Sequence, residues 1–289
     1  MRRLRIRHTT SYQYPNEVMF LPHKLLFRPR EGHYVRIKNS LLTIEPKNQV
    51  RWHRDISDNS VAVVTFEKPS DKLYISSEVI IENRDDAPLD FLIEKHAVHF
   101  PFEHAAVELN DLIPYQASTF PDDSKAIEDW IHQFWKVGQK IETYVLLDNI
   151  NKAIKNQIVY KVREEAGVQS PLVTLTKKTG SCRDMATLFI ETCRALGMGA
   201  RFISGYQYVK GLPIESGSTH AWSEIYLPGA GWKGFDSTSG KVVDSSYIPI
   251  AVSSNPETVP PISGAFSGFI DEPPVMTVVV DIVEITESF

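Results

Sequence analysis

Cysteine is scarce in this sequence: 289 residues hold only Cys182 and Cys193, and neither belongs to a Cys-x-x-Cys pair. A disulfide scaffold and a thiolate zinc site are therefore excluded as organising features. Long apolar runs are absent too. The most apolar stretch, Val275 to Val283, is broken by Thr277 and Asp281 and falls short of the ~18 residues a membrane-spanning helix needs. There is no excess of positive charge, since 31 Lys and Arg stand against 36 Asp and Glu, a net charge of −5. That balance argues against a nucleic-acid binder with a broad basic surface. No Gly-x-Ser-x-Gly elbow occurs, and Gly234 to Gly240-Lys241 misses P-loop spacing by one residue, so serine-hydrolase and nucleotide-hydrolysis chemistry fall away. Met1 to Arg7 alternates basic and apolar residues without the apolar stretch of a signal peptide, so a cytoplasmic location is expected.

What remains is a chain with 42% hydrophobic, 10% aromatic and 23% charged residues, enough to bury a real core, at a length that favours two packed units. Leu4 and Ile6 alternate with Arg3, Arg5 and Arg7, and Val35 and Ile37 with Arg36 and Lys38. Leu73, Ile75, Val79 and Ile81 continue the period of two, which predicts a β-rich, sandwich-like domain over residues 1–100. The three N-terminal arginines read as the solvated face of an edge strand. Around Asp85, Asp86, Pro88, Pro101, Pro114 and Pro121 the periodicity fades, and 101–123 is expected to be a linker. In the remaining unit, 124–289, Ile127, Trp130, Ile131, Phe134 and Trp135 fall at helical spacing behind capping candidates Asp122 to Ser124. A second helix is predicted from Leu146, Ile150, Ala153, Ile154 and Ile158, and a third from Cys182 to Leu196 after a turn at Thr179-Gly180-Ser181. Extended segments follow at 200–209, 219–227, 232–236 and 275–285, making this unit α+β.

Cys182 is the candidate nucleophile. A thiol in the first turn of a helix meets free backbone N–H groups and the positive end of the helix dipole, both of which favour thiolate. Cys193 lies eleven residues further along, about 16 Å at 1.5 Å per residue, too far for a disulfide and better suited to a buried, inert role. A nucleophilic thiol needs a base and a group that orients it. His220 sits in Ser218-Thr219-His220-Ala221-Trp222-Ser223-Glu224, and Asp236 ends the returning strand Trp232 to Asp236. Direct pairing of His220 with Asp236 would need residue numbers summing to 456, while a loop over 228–231 gives 459, so either a bulge or a diagonal contact is expected. His96-x-x-His99, with Glu94, Glu103 and His104, has the residue types of a zinc site but loose spacing in a loop-like segment, and no metal ligand is assigned.

Gly180-Ser181-Cys182-Arg183-Asp184-Met185-Ala186, followed by Arg194-Ala195-Leu196-Gly197 and Gly205-Tyr206, closely resembles the core motif of the transglutaminase-like superfamily. His220-Ala221-Trp222 and Gly231-Trp232 to Asp236 resemble its histidine and aspartate motifs, and Leu4 to Tyr14 with Pro22 to Arg30 resembles the N-terminal region of its bacterial members. The resemblance implies an α+β, papain-like core, with a cysteine-bearing helix against an antiparallel sheet, preceded by the all-β domain. It assigns Cys182 as nucleophile, His220 as general base and acid, and Asp236 as orienter. Tyr160 matches a recurrent aromatic of the family and is a candidate second oxyanion donor beside the Cys182 N–H, while Trp222 is expected to wall the site. The expected activity is thiol-dependent acyl transfer through a thioester, with a cysteine peptidase or amidase favoured. An amine-accepting transglutaminase and a non-catalytic peptide-binding module are the alternatives. A peptide or protein substrate is expected, with no cofactor, nucleic acid or membrane. Oligomeric state is not legible.

Overall fold

The computed structural model describes residues 1–84, 87–211 and 219–285, so Asp85, Asp86 and Ser218 lie outside the described residues. The chain opens with six strands: β1 (Arg2–Phe20), β2 (His23–Leu25), β3 (Val35–Glu45), β4 (Asn48–Arg54), β5 (Ser60–Phe66) and β6 (Ser70–Asn83). Period-two patterning fixes their faces. In β1, Leu4 and Ile6 are buried while Arg5 and Arg7 stand in water. The strands form two sheets, one containing β1, β6 and β3 and the other β2, β5 and β4. Between them lies a core that includes Tyr14, Phe20, Phe27, Val64, Leu73 and Ile75, each full burial adding about 1.5–3 kcal/mol.

Helix α1 (Ala106–Gln116) occupies the middle of the segment expected as a linker. It buries only Leu112 and carries Pro114 inside it, so it displays no apolar stripe from which a helix is read. Helix α2 (Ser124–Ile131) is shorter than its apolar pattern predicts. Phe134 and Trp135 lie beyond it, with the Trp135 indole N–H donating to the Gln139 carbonyl at 2.9 Å and its ring packed on Phe100. Strands β7 (His99–Phe100) and β8 (Ile141–Glu142) pair just ahead of α3 (Thr143–Gln157), which buries Leu146, Leu147, Ile150 and Ile154.

Thr179-Gly180, expected as a turn, is instead the strand β10 (Thr179–Gly180), paired in parallel with β9 (Val159–Tyr160). Between them α4 (Pro171–Lys177) starts at a capping Ser170 with proline in the first turn. Helix α5 (Cys182–Ala195) packs on a five-stranded antiparallel sheet ordered β14 (Lys241–Val242), β13 (Gly231–Asp236), β12 (Thr219–Leu227), β11 (Ala200–Gln207) and β15 (Tyr247–Ser253). On β12, Ala221 and Ile225 enter the core with α5, and the Ser223 hydroxyl donates to the Ala186 carbonyl at 3.0 Å.

The chain then returns to its beginning. Strands β16 (Ile262–Ser263), β17 (Phe266–Ser267) and β18 (Val275–Glu284) all join the N-terminal sheets. Strand β18 pairs with β1 over ten residues, from Leu4 opposite Glu284 to Gln13 opposite Val275. Two expectations change as a result. The strand at 275–285 completes the sheet of the first unit instead of extending the second, and β1 is an interior strand flanked by β6 and β18, its arginines on the solvated face rather than at an edge. One core unites the units, joining Leu4, Ile6, Val79 and Ile81 to Leu146, Met185, Phe189 and Ile225. No described helix is long and apolar enough to cross a membrane.

Candidate active site

The turn that carries Cys182 is fixed by one buried carboxylate. Asp184 is fully buried, and its Oδ2 accepts from the Ser181 backbone N–H at 2.7 Å and the Ser181 hydroxyl at 2.8 Å. Its Oδ1 accepts from the Gln169 N–H at 2.7 Å and from Arg163 Nη1 at 2.8 Å. The first of these bonds satisfies the N–H of the residue that caps α5, and the bonds from Gln169 and Arg163 lock the helix onto the 163–170 segment. Glycine is required just before it, because a Cβ on Gly180 would stand 2.9 Å from the Asp184 Cβ. Arg183 donates to the carbonyls of Arg163 and Glu165, which holds the same segment against the rim of the site.

Cys182 is partly exposed and lines a cleft of about 590 Å³ together with Arg183, Phe202, His220, Glu257 and Val259. The imidazole of His220 interacts with both Asp236 and Cys182. Its Nε2 lies 3.1 Å from Asp236 Oδ2, although not aligned as a hydrogen bond. Burial alone would lower the His220 pKa, but Asp236 and Cys182 outweigh it and raise the value to about 9. Burial would likewise raise Asp236, yet His220, Tyr247 and Ser239 hold it at about 2. The charged forms of both groups therefore dominate near neutral pH.

The strand register explains how these two residues meet. Ser223 faces Phe235 and Leu227 faces Gly231, so opposed residues sum to 458, between the two expected values. Asp236 is thereby diagonal to His220, and of the two arrangements left open the diagonal one is found. The Thr238 N–H donates to Asp236 Oδ1 at 2.8 Å, and the Tyr247 hydroxyl donates to Asp236 Oδ2 at 2.7 Å.

Tyr247 is the residue that the sequence reading missed. It packs beside both the His220 ring, at 5.9 Å, and the Trp222 ring, at 5.4 Å. Trp222 is 1% exposed and belongs to a small cluster with Ile203, Tyr247 and Val252 behind the imidazole. Gly205 makes room for it, since a Cβ there would lie 2.6 Å from the indole and 2.3 Å from the Ile248 carbonyl. Tyr160 is 46% exposed on β9, opposite Gly180, and Cys182 contributes after burial to raising its pKa, which puts the phenol in the electrostatic neighbourhood of the sulfur.

Cys193 lies on the same helix in a different setting. It is fully buried, and burial pushes its thiol pKa far up. Of the histidine-rich segment, His104 is buried against Phe102 and Tyr226 and His96 lies 3.3 Å from Glu94. Among the described residues, no three His, Cys, Asp or Glu side chains gather as metal ligands.

Comparison with known proteins bears on this arrangement. Residues 123–237, the span that includes Cys182, His220 and Asp236, match the transglutaminase-like superfamily. Residues 4–82 match the bacterial transglutaminase-like N-terminal region. The chain belongs to the transglutaminase-like superfamily. An uncharacterized protein of Mycobacterium tuberculosis is 25% identical over 290 residues, covering 91% of this chain and 87% of its own length. YebA of Bacillus subtilis is 24% identical over 260 residues, 80% of this chain and 34% of YebA. Among solved structures, a Cytophaga hutchinsonii protein described as a "putative cysteine protease" superposes with a TM-score of 0.76 at 19% identity, over 100% of this chain and 92% of its own. That likeness establishes the shared α+β fold of this superfamily member.

Proposed function

We propose that this superfamily member catalyses thiol-dependent acyl transfer on peptide or amide substrates, ending in hydrolysis. The observation that carries the reading is that His220 interacts with both the Asp236 carboxylate and the Cys182 thiol, beside Cys182 in the wall of an open cleft. With the proton already on His220, the Cys182 sulfur attacks the substrate carbonyl, forming a tetrahedral intermediate. The developing oxyanion takes a hydrogen bond from the Cys182 backbone N–H and a second from the Tyr160 hydroxyl, donors of a kind worth about 2.7–4 kcal/mol each. The His220 imidazolium protonates the departing amine as the C–N bond breaks, which leaves a thioester on Cys182. A water molecule, losing a proton to the now neutral His220, then cleaves the thioester and regenerates the thiol. Asp236, held by Tyr247 and Thr238, keeps the imidazole in place throughout.

The test is mass spectrometry of the protein with a mixture of synthetic peptides, run with and without a primary amine. Shortened peptides and a transient mass increase on Cys182, both absent from Cys182→Ala, are expected. Products carrying the added amine in place of hydrolysed products would replace the hydrolase reading by an amine transferase. No adduct and no product, with Cys182 as sluggish toward iodoacetamide as Cys193, would leave a binding module.

A further inference from the structure

The face of β1 that carries Leu4, Ile6, His8, Thr10 and Tyr12 changes character along its length. Leu4 and Ile6 are sealed in the shared core, and His8 and Thr10 are each 2% exposed. Their partners on β18 follow the same gradient. Val280, opposite His8, is buried, whereas Val278, opposite Thr10, and Met276, opposite Tyr12, are 45% and 58% exposed. Where this face leaves the core, a cavity of about 150 Å³ opens between Tyr12, Met276, Val278 and the Pro261-Ile262 segment. Its far wall is Thr219, the residue preceding His220. Thr219, Pro261 and Ile262 also line the main cleft, so the two spaces meet at those residues.

The chemistry of the two spaces differs. Arg183 and Glu257 line the cleft, while among the described residues no Asp, Glu, Lys or Arg lines the smaller cavity. Its imidazole, His8, is spoken for. Nδ1 lies 2.7 Å from the Tyr206 hydroxyl and Nε2 3.2 Å from the Thr10 hydroxyl, and burial brings the pKa down to about 4, so the ring is uncharged at neutral pH. Two apolar side chains on an outer strand are thus left open beside a neutral hollow that adjoins the cleft of Cys182 and His220.

We propose that this hollow is a subsite that takes an apolar side chain of the peptide whose carbonyl reacts at Cys182, so that the N-terminal β-sheet sets substrate preference. The inference rests on the peptide-processing reading above, and a separate measurement keeps the two apart. In hexapeptides scanned with leucine against lysine at each position, the wild type prefers leucine at one position by about tenfold or more in kcat/KM, the scale on which pocket contacts discriminate. Val278→Lys and Met276→Glu each bring that ratio close to one. Val275→Lys, on the opposite face of β18 where it pairs with Gln13, keeps it. Thermal melting checks the fold of each variant, and either of the first two suffices.

Equal ratios in wild type, Val278→Lys and Met276→Glu, or no preference at any position, would overturn the subsite. Fluorescence anisotropy of the same labelled peptides on Cys182→Ala reads it without turnover. Leucine-selective binding that Val278→Lys erases, in a protein whose wild type cleaves nothing, would keep the subsite and discard the catalytic reading. Unselective binding in that same case would discard both.

Discussion

Helix α5 carries the same residue type near each end, in opposite settings. At its start Cys182 is half-open to a cleft, beside an imidazole and over a turn knotted by Asp184. Near its end Cys193 is sealed in the core, next to an ion pair between Glu191 and Arg194 at 2.8 Å with both side chains 1% exposed. The two settings predict different reactivity for the same residue type: one thiol meets an imidazole and solvent, and the other is sealed away from both. The buried pair has its own purpose. Arg194 also donates to the carbonyls of Tyr115 and Ala200 and to the Thr119 hydroxyl, tying α1 and β11 to the far end of the helix.

The contrast breaks most completely with Cys182→Ala, which removes turnover and leaves no thiol that iodoacetamide modifies at pH 6, whereas Cys193→Ala preserves stoichiometric labelling of Cys182. Peptide mapping by mass spectrometry reads both. Asp236→Asn comes next. It lowers kcat by about three to four orders of magnitude, the loss expected when the group steadying an imidazole tautomer changes its hydrogen-bonding character, and steady-state kinetics measure it. At the opposite end, Arg194→Ala strands the Glu191 carboxylate in the core and costs about 3–5 kcal/mol of stability. Urea unfolding checks this and shows a large effect on stability from the helix end remote from the chemistry.

Tyr247→Phe sharpens the comparison more gently. It deletes one hydrogen bond to a charged group, about 1.5–3 kcal/mol, so the Asp236 pKa rises from about 2 and kcat falls by roughly tenfold or more. The smallest effect is the pH dependence of stability. The His220 pKa is raised from 6.5 to about 9, so its contribution is fully present below pH 6.5 and is lost as pH rises through about 9. The Asp236 pKa is lowered from 3.8 to about 2, so its contribution is present above pH 3.8 and is lost as pH falls through about 2. In Cys182→Ala the alkaline limb moves to lower pH, because one of the two partners raising His220 is gone. Urea melts across pH 2–10 follow both limbs.

The parts of this molecule that were legible in its sequence are those whose signals are local. The period of two in β1 and β6, the apolar stripe of α3 and the glycine-serine lead into α5 all report their own neighbourhoods. The partner of β1 was not legible, because β18 lies more than 250 residues away and nothing within either segment encodes their pairing. Helix α1 was hidden by Pro114 and by having Leu112 as its one buried residue. At the candidate site, Cys182, His220 and Asp236 were recognisable from motif and chemistry, but Tyr247 stands on a strand without a motif and reaches Asp236 only through the fold of the sheet. Asp184 had a readable signal, the Ser181-to-Asp184 spacing of a capping box, although its other partners, Arg163 and Gln169, come from a separate stretch of chain.

The return of β18 to β1 also has a bearing on synthesis. A ribosome completes the cysteine helix, the histidine strand and the aspartate strand before it makes residues 275–284. During that interval β1 has one unpaired edge, and the hollow beside Thr219 lacks its Met276 and Val278 wall. The nascent polypeptide thus carries Cys182, His220 and Asp236 ahead of the strand that completes the wall of the proposed subsite.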